Sequence, residues 1–213
     1  MPNTLEETIE RHRHYWDEFA PQYDGKVRFF ERLLFSSDRP WACSQAGGDT
    51  LEIAIGTGRN IPFYPPGVRL RGIDISPGML EIARQRSRDL GRAVELQVVD
   101  AQSLAFPENF FHTVVCTFSM CCVPDIRKAV AEMKRVLRAG GKLVLVDHVR
   151  SDVPLILAIE RLMEPKWVRS PSDTRLLRPF EHVEAGGFDI ELHQRLHWGL
   201  CERVVARKPA EVG

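Results

Sequence analysis

Leu51-Glu-Ile-Ala-Ile-Gly-Thr-Gly-Arg-Asn60 opens as an alternating apolar run and closes as a polar turn. Leu51, Ile53 and Ile55 fall two residues apart, with Glu52 and Ala54 between them. Apolar, largely β-branched residues at that period favour a buried strand. Gly56-Thr57-Gly58 then provides two residues without a Cβ, free to take φ > 0 and to let a ligand lie directly against backbone N–H groups. A strand that ends in such a turn is a cradle for a nucleotide-type ligand.

What is missing narrows the ligand. A dinucleotide fingerprint carries a third glycine where this chain has Ile61, and no Gly-Lys-Ser/Thr follows to grip a phosphate. Working outward, Val68 to Asp74 reads as a second strand, and Asp74 stands eighteen positions after Gly56. Ala93 to Asp100 reads as a third. A carboxylate at the carboxyl end of a strand can accept both hydroxyls of a ribose, and open α/β sheets bind ligands at that edge. Taken singly, Asp74 or Asp100 could equally cap a following helix or turn.

The rest of the chain alternates. Leu5 to about Tyr23 places Ile9, His12, Trp16, Phe19 and Tyr23 on one helical face, and a second helical segment runs from Val27 to Phe35. Residues 60–67 hold three prolines and should form one short helical turn and a loop. Ser76 caps a helix that has Pro77 in its first turn and ends at Gly91. Residues 110–119, which include Thr117 and Ser119, read as a fourth strand. A helix capped by Asp125 ends at Gly140-Gly141, and Lys142 to Val149 is a fifth strand. This order predicts an α/β fold: a Rossmann-like, doubly wound, mostly parallel sheet with helices on both faces. Ser151 to Glu184 breaks the rhythm with four prolines and reads as a lid of two helical pieces that includes Trp167 and Phe180. Two final strands follow, over residues 186–193 and 198–207.

Composition excludes several classes. The chain has 213 residues, and 29 basic residues balance 29 acidic ones, so no global field favours nucleic acid or anionic membranes. Cys43, Cys116, Cys121, Cys122 and Cys201 include no Cys-x-x-Cys pair, and no metal site is expected. The amino-terminal residues lack the pattern of a signal peptide, and no apolar run approaches the roughly 18 residues needed to span a bilayer. A cytoplasmic setting is expected, with the oligomeric state left open.

Glu52 to Asn60, Gly72-Ile-Asp-Ile-Ser-Pro-Gly-Met-Leu80, Asp100-Ala101 and Val136 to Lys142 together resemble class I S-adenosylmethionine-dependent methyltransferases of the ubiquinone/menaquinone-biosynthesis type. In the first motif Ala54 replaces the first glycine. Residues 60–67, 115–122 and 147–149 look closest to alkyl-thiol methyltransferases and phosphatidylethanolamine N-methyltransferases. The resemblance implies a seven-stranded sheet with an antiparallel last strand, and S-adenosyl-L-methionine as cofactor, leaving S-adenosyl-L-homocysteine as product. It implies a cofactor site drawn from Glu52, Ala54, Gly56, Thr57, Gly58, Asn60, Asp74, Ile75, Met79, Asp100, Ala101, Gln102, Thr117 and Tyr23. Gly56 and Gly58 would face the methionine part, Asp74 the ribose, Ile75 the adenine face, and Asp100 with Ala101 the adenine edge.

The expected organisation is one domain: a helical cap over 1–40, a cofactor-binding core over 49–150, the lid over 151–185 and final strands over 186–208. Trp16, Ser119, Cys121, Cys122 and Trp167 are expected around the acceptor. His148, at the end of the fifth strand, is the candidate general base, and its alternative role is to shape the pocket. The acceptor is expected to be a small molecule, with a thiol first. The alternatives are a phospholipid headgroup reached by peripheral membrane contact, an O- or C-methylated natural product or quinone, and a catalytically silent cofactor-binding module.

Overall fold

Period-2 burial decides how the sheet is covered. Along the fourth and fifth strands, Val114, Cys116, Leu143 and Leu145 join one apolar cluster, while Val115, Val144 and Val146 join another on the opposite face. A sheet apolar on both faces has to be sandwiched between helices. A computed structural model of the protein, which describes residues 5–163 and 178–210, has that architecture.

The elements, in chain order, are α1 (Leu5–Leu34), α2 (Asp38–Ser44), β1 (Asp49–Ile53), β2 (Arg69–Asp74), α3 (Pro77–Asp89), β3 (Val94–Val98), β4 (Phe111–Thr117), α4 (Ile126–Val136), β5 (Leu137–His148), α5 (Pro154–Met163), α6 (Pro179–Ala185), β6 (Asp189–Leu196) and β7 (Cys201–Arg207). Single 3₁₀ turns lie at Ile61–Phe63 and Met120–Cys122. The seven strands run in the order β3-β2-β1-β4-β5-β7-β6. β7 is antiparallel to both neighbours, whereas β1 to β5 pair in parallel. The α4 residues Ile126, Ala129, Val130 and Met133, with Val183 of α6, cover one face. Ala42 and Cys43 of α2 and Leu80 of α3 cover the other. The strand order reverses between β1 and β4, which opens a crevice beyond their carboxyl ends.

Three local readings change. The two amino-terminal helical segments are one 30-residue helix that runs through Pro21 and Gly25. α4 stops at Val136 rather than at the glycine pair, because Leu137 already pairs with Phe111 in the sheet. Gly140, at φ +70°, instead makes a turn that hooks onto the chain after β7: its N–H donates to Lys208 O (2.9 Å), and Lys208 N–H donates to Gly141 O (2.9 Å). α6 is a wall of the core, packed against α4, β6 and β7 with Pro179 and Val183 buried, rather than a piece of a lid over the strand ends.

Candidate active site

The crevice is a cleft enclosing about 760 Å³ of space, part of it open to solvent. Of the residues expected at a cofactor, Tyr23, Ala54, Gly56, Asp74, Ile75, Met79, Asp100, Ala101 and Gln102 line it, and of those expected at an acceptor, Trp16, Ser119 and Cys122 do. The ends of β1, β2, β3 and β4 therefore meet in one place, with α1 across the opening.

The turn after β1 is held by the end of β2. Asp74 Oδ2 accepts the Gly56 N–H (2.9 Å) and Oδ1 accepts the Ser76 N–H (2.9 Å), so one carboxylate ties the glycine turn to the start of α3. Burial pushes the Asp74 carboxyl up to about 6, against the lowering effect of those backbone N–H groups. Asp100 is held by Gln102, whose backbone and side-chain N–H groups both donate to it, and Gln102 Oε1 accepts the Asp125 N–H at the start of α4.

The two glycines of the turn differ. A Cβ on Gly56, at φ +56°, would meet no atom within 4 Å, because it would project into open space at the cleft. A Cβ on Gly58 would lie 2.6 Å from Ile61 Cδ1 and 3.2 Å from Ala83 Cβ. Gly58 does not line the cleft. It is the glycine that lets the turn approach α3 closely.

Ala54 takes φ +51°, a left-handed conformation that a glycine would adopt without steric cost. Ala54→Gly should therefore raise the stability by roughly 1 kcal/mol, a shift in Tm of about 2–4 °C readable by circular dichroism.

Glu52, Thr57, Asn60 and Thr117 lie behind the turn rather than at the cleft wall. Asn60 Nδ2 donates to Glu52 Oε1 (2.8 Å) and Thr117 Oγ1 (2.9 Å), and Tyr64 OH donates to Glu52 Oε2 (2.9 Å). Burial raises the Glu52 carboxyl to about 7 despite these donors. Arg39 donates to Thr117 Oγ1 (2.8 Å), Asn60 Oδ1 (3.1 Å) and Glu31, which extends this buried network to α1. The polar residues of the motif thus brace the turn from below.

α1 is pinned across the cleft at two further points. Thr57 Oγ1 donates to Asp24 Oδ1 (2.8 Å), and Arg59 and Arg86 both pair with Asp24. Burial would raise the Asp24 carboxyl, but hydrogen bonds from Thr57 and Arg86 outweigh it and hold the group below the usual carboxylate range. Nearer the amino terminus, Asp17 Oδ1 accepts from Ser76 Oγ and from the Gly78 N–H at the start of α3. Tyr23 lies in the cleft wall near Trp16, with ring centroids 6.3 Å apart, and burial pushes its hydroxyl up to about 12, so it stays protonated.

His148, the expected base, does not line the cleft. Phe118 does, and its ring centroid lies 4.5 Å from that of His148, which also contacts Phe35 at 4.7 Å. Cys121 is likewise off the wall, its sulfur 3.7 Å from that of Cys122. Trp167 falls outside the described residues. Among the described residues, no group of three or more His, Cys, Asp or Glu side chains could hold a metal ion.

His12, Ile73, Val99, Phe118, Val123 and Pro124 also line the cleft without having been singled out. His12 was visible only as one member of an apolar helix face, which carries no sign of a ligand. Phe118 takes φ +55°, a costly backbone state for a bulky residue of the kind that collects at functional sites. No residue pattern announces such a torsion.

Comparison with known proteins bears on the cleft directly. A methyltransferase-domain family model matches residues 51–145. The chain is 40% identical over 55% of its length to a phosphatidylethanolamine N-methyltransferase of Cereibacter sphaeroides, 59% of which it covers. It is 31% identical over 70% of its length to the human thiol S-methyltransferase TMT1B, covering 62% of it. It therefore spans about six tenths of each of these two relatives. It is 32% identical over 71% of its length to the ubiquinone/menaquinone biosynthesis C-methyltransferase UbiE of Geobacter sp. (strain M21), covering 68% of that protein. The crystal structure of an S-adenosylmethionine-dependent methyltransferase from Aquifex aeolicus has the same fold, with a TM-score of 0.64, 18% identity, and coverage of 86% of this chain and 97% of that one. Matched through its glycine turn and across most of a full-length relative, the chain belongs to the class I S-adenosylmethionine-dependent methyltransferases.

Proposed function

We propose that the chain transfers the methyl group of S-adenosylmethionine to a small acceptor whose nucleophile sits on an apolar body, with a thiol first. The observation that carries this reading is the composition of the rest of the cleft wall, where Trp16, Phe118, Cys122, Val123 and Pro124 present apolar surface beside the Asp74 and Asp100 carboxylates. The cofactor fits against the glycine turn and the strand ends. Gly56 leaves open the space that a Cβ would fill, and the Asp74 and Asp100 carboxylates stand at successive strand ends, where a ribose and an adenine edge would lie. Ile75 and Met79 flank them. α1, which lines the cleft through His12, Trp16 and Tyr23, serves as its cap.

When bound, the cofactor supplies an electrophilic methyl on a sulfonium, so the chain's task is chiefly alignment and exclusion of water. A thiol has a pKa near 8.5 and is partly thiolate at neutral pH, so the wall need not supply a strong base. A protonated amine needs more help. The second reading, a phospholipid headgroup amine, is favoured by the 40% identical phosphatidylethanolamine N-methyltransferase.

S-adenosylhomocysteine at a hundred times its Kd should stabilise the fold by about 2.7 kcal/mol, whereas NAD should not. Turnover is then compared over alkyl thiols, aryl thiols, amines, phenols and phosphatidylethanolamine vesicles. Methylation of phosphatidylethanolamine with no thiol turnover would overturn the thiol reading, and no stabilisation by S-adenosylhomocysteine would overturn the cofactor reading.

His148 acts in this scheme by supporting Phe118. His148→Ala should lower kcat by less than about tenfold, leave the Kd for S-adenosylhomocysteine unchanged and preserve the pH–rate profile. A general base would instead cost on the order of 10² to 10⁴ and remove a limb of that profile.

A further inference from the structure

Four large apolar side chains stand in solvent on neighbouring elements: Phe29 at 68%, Leu33 at 67%, Leu155 at 70% and Trp198 at 66% exposure. They come from three elements that contacts bring to one end of the molecule. Phe35, just past α1, has its ring centroid 5.3 Å from that of His197, which precedes Trp198 in the β6–β7 turn. Ser151 Oγ donates to Trp198 O (2.6 Å) and accepts the Val153 N–H (3.1 Å) at the start of α5. Scattered exposed leucines need no explanation, but exposed aromatic and leucine side chains on three elements that meet at one end do.

The charge around them selects the partner. Phe29 and Leu33 are four residues apart on α1 and share a face, with Lys26 one turn earlier. Arg28 and Arg32, both exposed, flank them. The acid of this stretch, Glu31, points inward at 9% exposure and is paired with Arg39 and Arg59. The outward face from Lys26 to Leu33 is therefore basic and apolar together, as in helices that lie in the plane of an anionic bilayer. No helix among the described residues is long and apolar enough to cross a membrane, so the contact would be peripheral.

We infer that this edge docks on the surface of an anionic lipid bilayer, with the carboxyl-terminal half of α1 and Trp198 entering the headgroup region. α1 also lines the cleft through His12, Trp16 and Tyr23, so docking would hold the cleft against the layer from which an amphiphilic acceptor leaves. The inference rests on the methyltransferase reading only for that last step. The docking is independent of which acceptor is methylated.

Sedimentation of the whole chain with phosphatidylglycerol vesicles and with phosphatidylcholine vesicles tests it, read as the molar partition coefficient. Phosphatidylglycerol should be preferred at least tenfold. Arg28→Gln with Arg32→Gln should lower partition onto phosphatidylglycerol by roughly thirtyfold, at about fivefold per lost cation, with little change on phosphatidylcholine. Phe29→Ser with Leu33→Ser should lower it by at least tenfold on phosphatidylglycerol. Calorimetry with S-adenosylhomocysteine should give the same Kd for both variants and the parent, which separates lost docking from lost fold or a failed cofactor reading. Equal partition onto both vesicles, or partition that survives both variants, would overturn the inference. So would a dimer in sedimentation velocity that Phe29→Ser with Leu33→Ser dissociates while vesicle binding stays absent, because the edge would then belong to a second copy of the chain.

Discussion

Gly56→Val should abolish binding of S-adenosylhomocysteine, with affinity falling at least a hundredfold, while the far-ultraviolet circular dichroism stays native in shape. Two effects combine. Gly56 takes φ +56°, a region that costs an L-residue about 1–2 kcal/mol and a β-branched one more. The new side chain would also project into space that is open at the cleft. The fold should survive because nothing within 4 Å opposes the added Cβ, so Tm should drop by only a few degrees. Gly58→Ala provides the contrast. Its Cβ would meet Ile61 and Ala83, so it should lower Tm by more than it lowers cofactor affinity. Calorimetry beside thermal melts separates the two. If the Gly56→Val protein keeps its spectrum and binds within threefold of the parent, Gly56 is a turn residue alone and the cradle is wrongly placed.

That contrast also marks how far the sequence could be read. The sheet was legible because its signal is periodic: β-branched residues at period two, punctuated by the Gly56 turn, Asp74 and Asp100, describe strands that end at one edge. The caps were legible for a similar reason, since Ser76 and Asp125 each accept a backbone N–H three residues on, a local geometry. What could not be read depends on tertiary approach. Both glycines of the turn look alike in sequence, and only the nearness of Ile61 and Ala83 gives Gly58 a packing role. His148 sits at the expected sheet edge, but Phe118, at φ +55°, takes the place on the cleft wall. The polar residues Glu52, Asn60 and Thr117 belong to the motif yet satisfy one another in a network reaching Arg39, whose part in it no local pattern reveals. The expected break between Tyr23 and Val27 does not occur, and one helix runs through Pro21 and Gly25.

Asp74 is the residue on which cofactor affinity and pH should meet. Its two oxygens already hold the Gly56 and Ser76 N–H groups, so the carboxylate is fixed before any ligand arrives, and its remaining lone pairs are the acceptors that ribose hydroxyls would use. Asp74→Asn replaces one acceptor oxygen with an NH₂ group that would face a backbone donor, and it removes the charge. Charge-assisted hydrogen bonds contribute roughly 1.5–3 kcal/mol, so affinity for S-adenosylhomocysteine at pH 7.5 should fall by about tenfold to a hundredfold. Burial lifts this carboxyl from 3.8 to about 6 in the folded chain, and two signs follow. For binding, the charged form is the acceptor, so affinity should be constant above pH 7 and fall about tenfold per unit below pH 6. For stability, the folded state holds the proton more tightly than the unfolded chain. The contribution of this group is therefore greatest below pH 3.8 and is lost as pH rises through about 6, by on the order of 3 kcal/mol. Calorimetric titrations at half-unit steps from pH 5 to 8 should show the step near 6 in the parent and not in Asp74→Asn, whose melting temperature should in turn depend less on pH across the same interval. A parent affinity that stays flat from pH 5 to 7, or an unchanged Kd in the variant, would remove Asp74 from the ribose and leave it only the work of joining the glycine turn to α3.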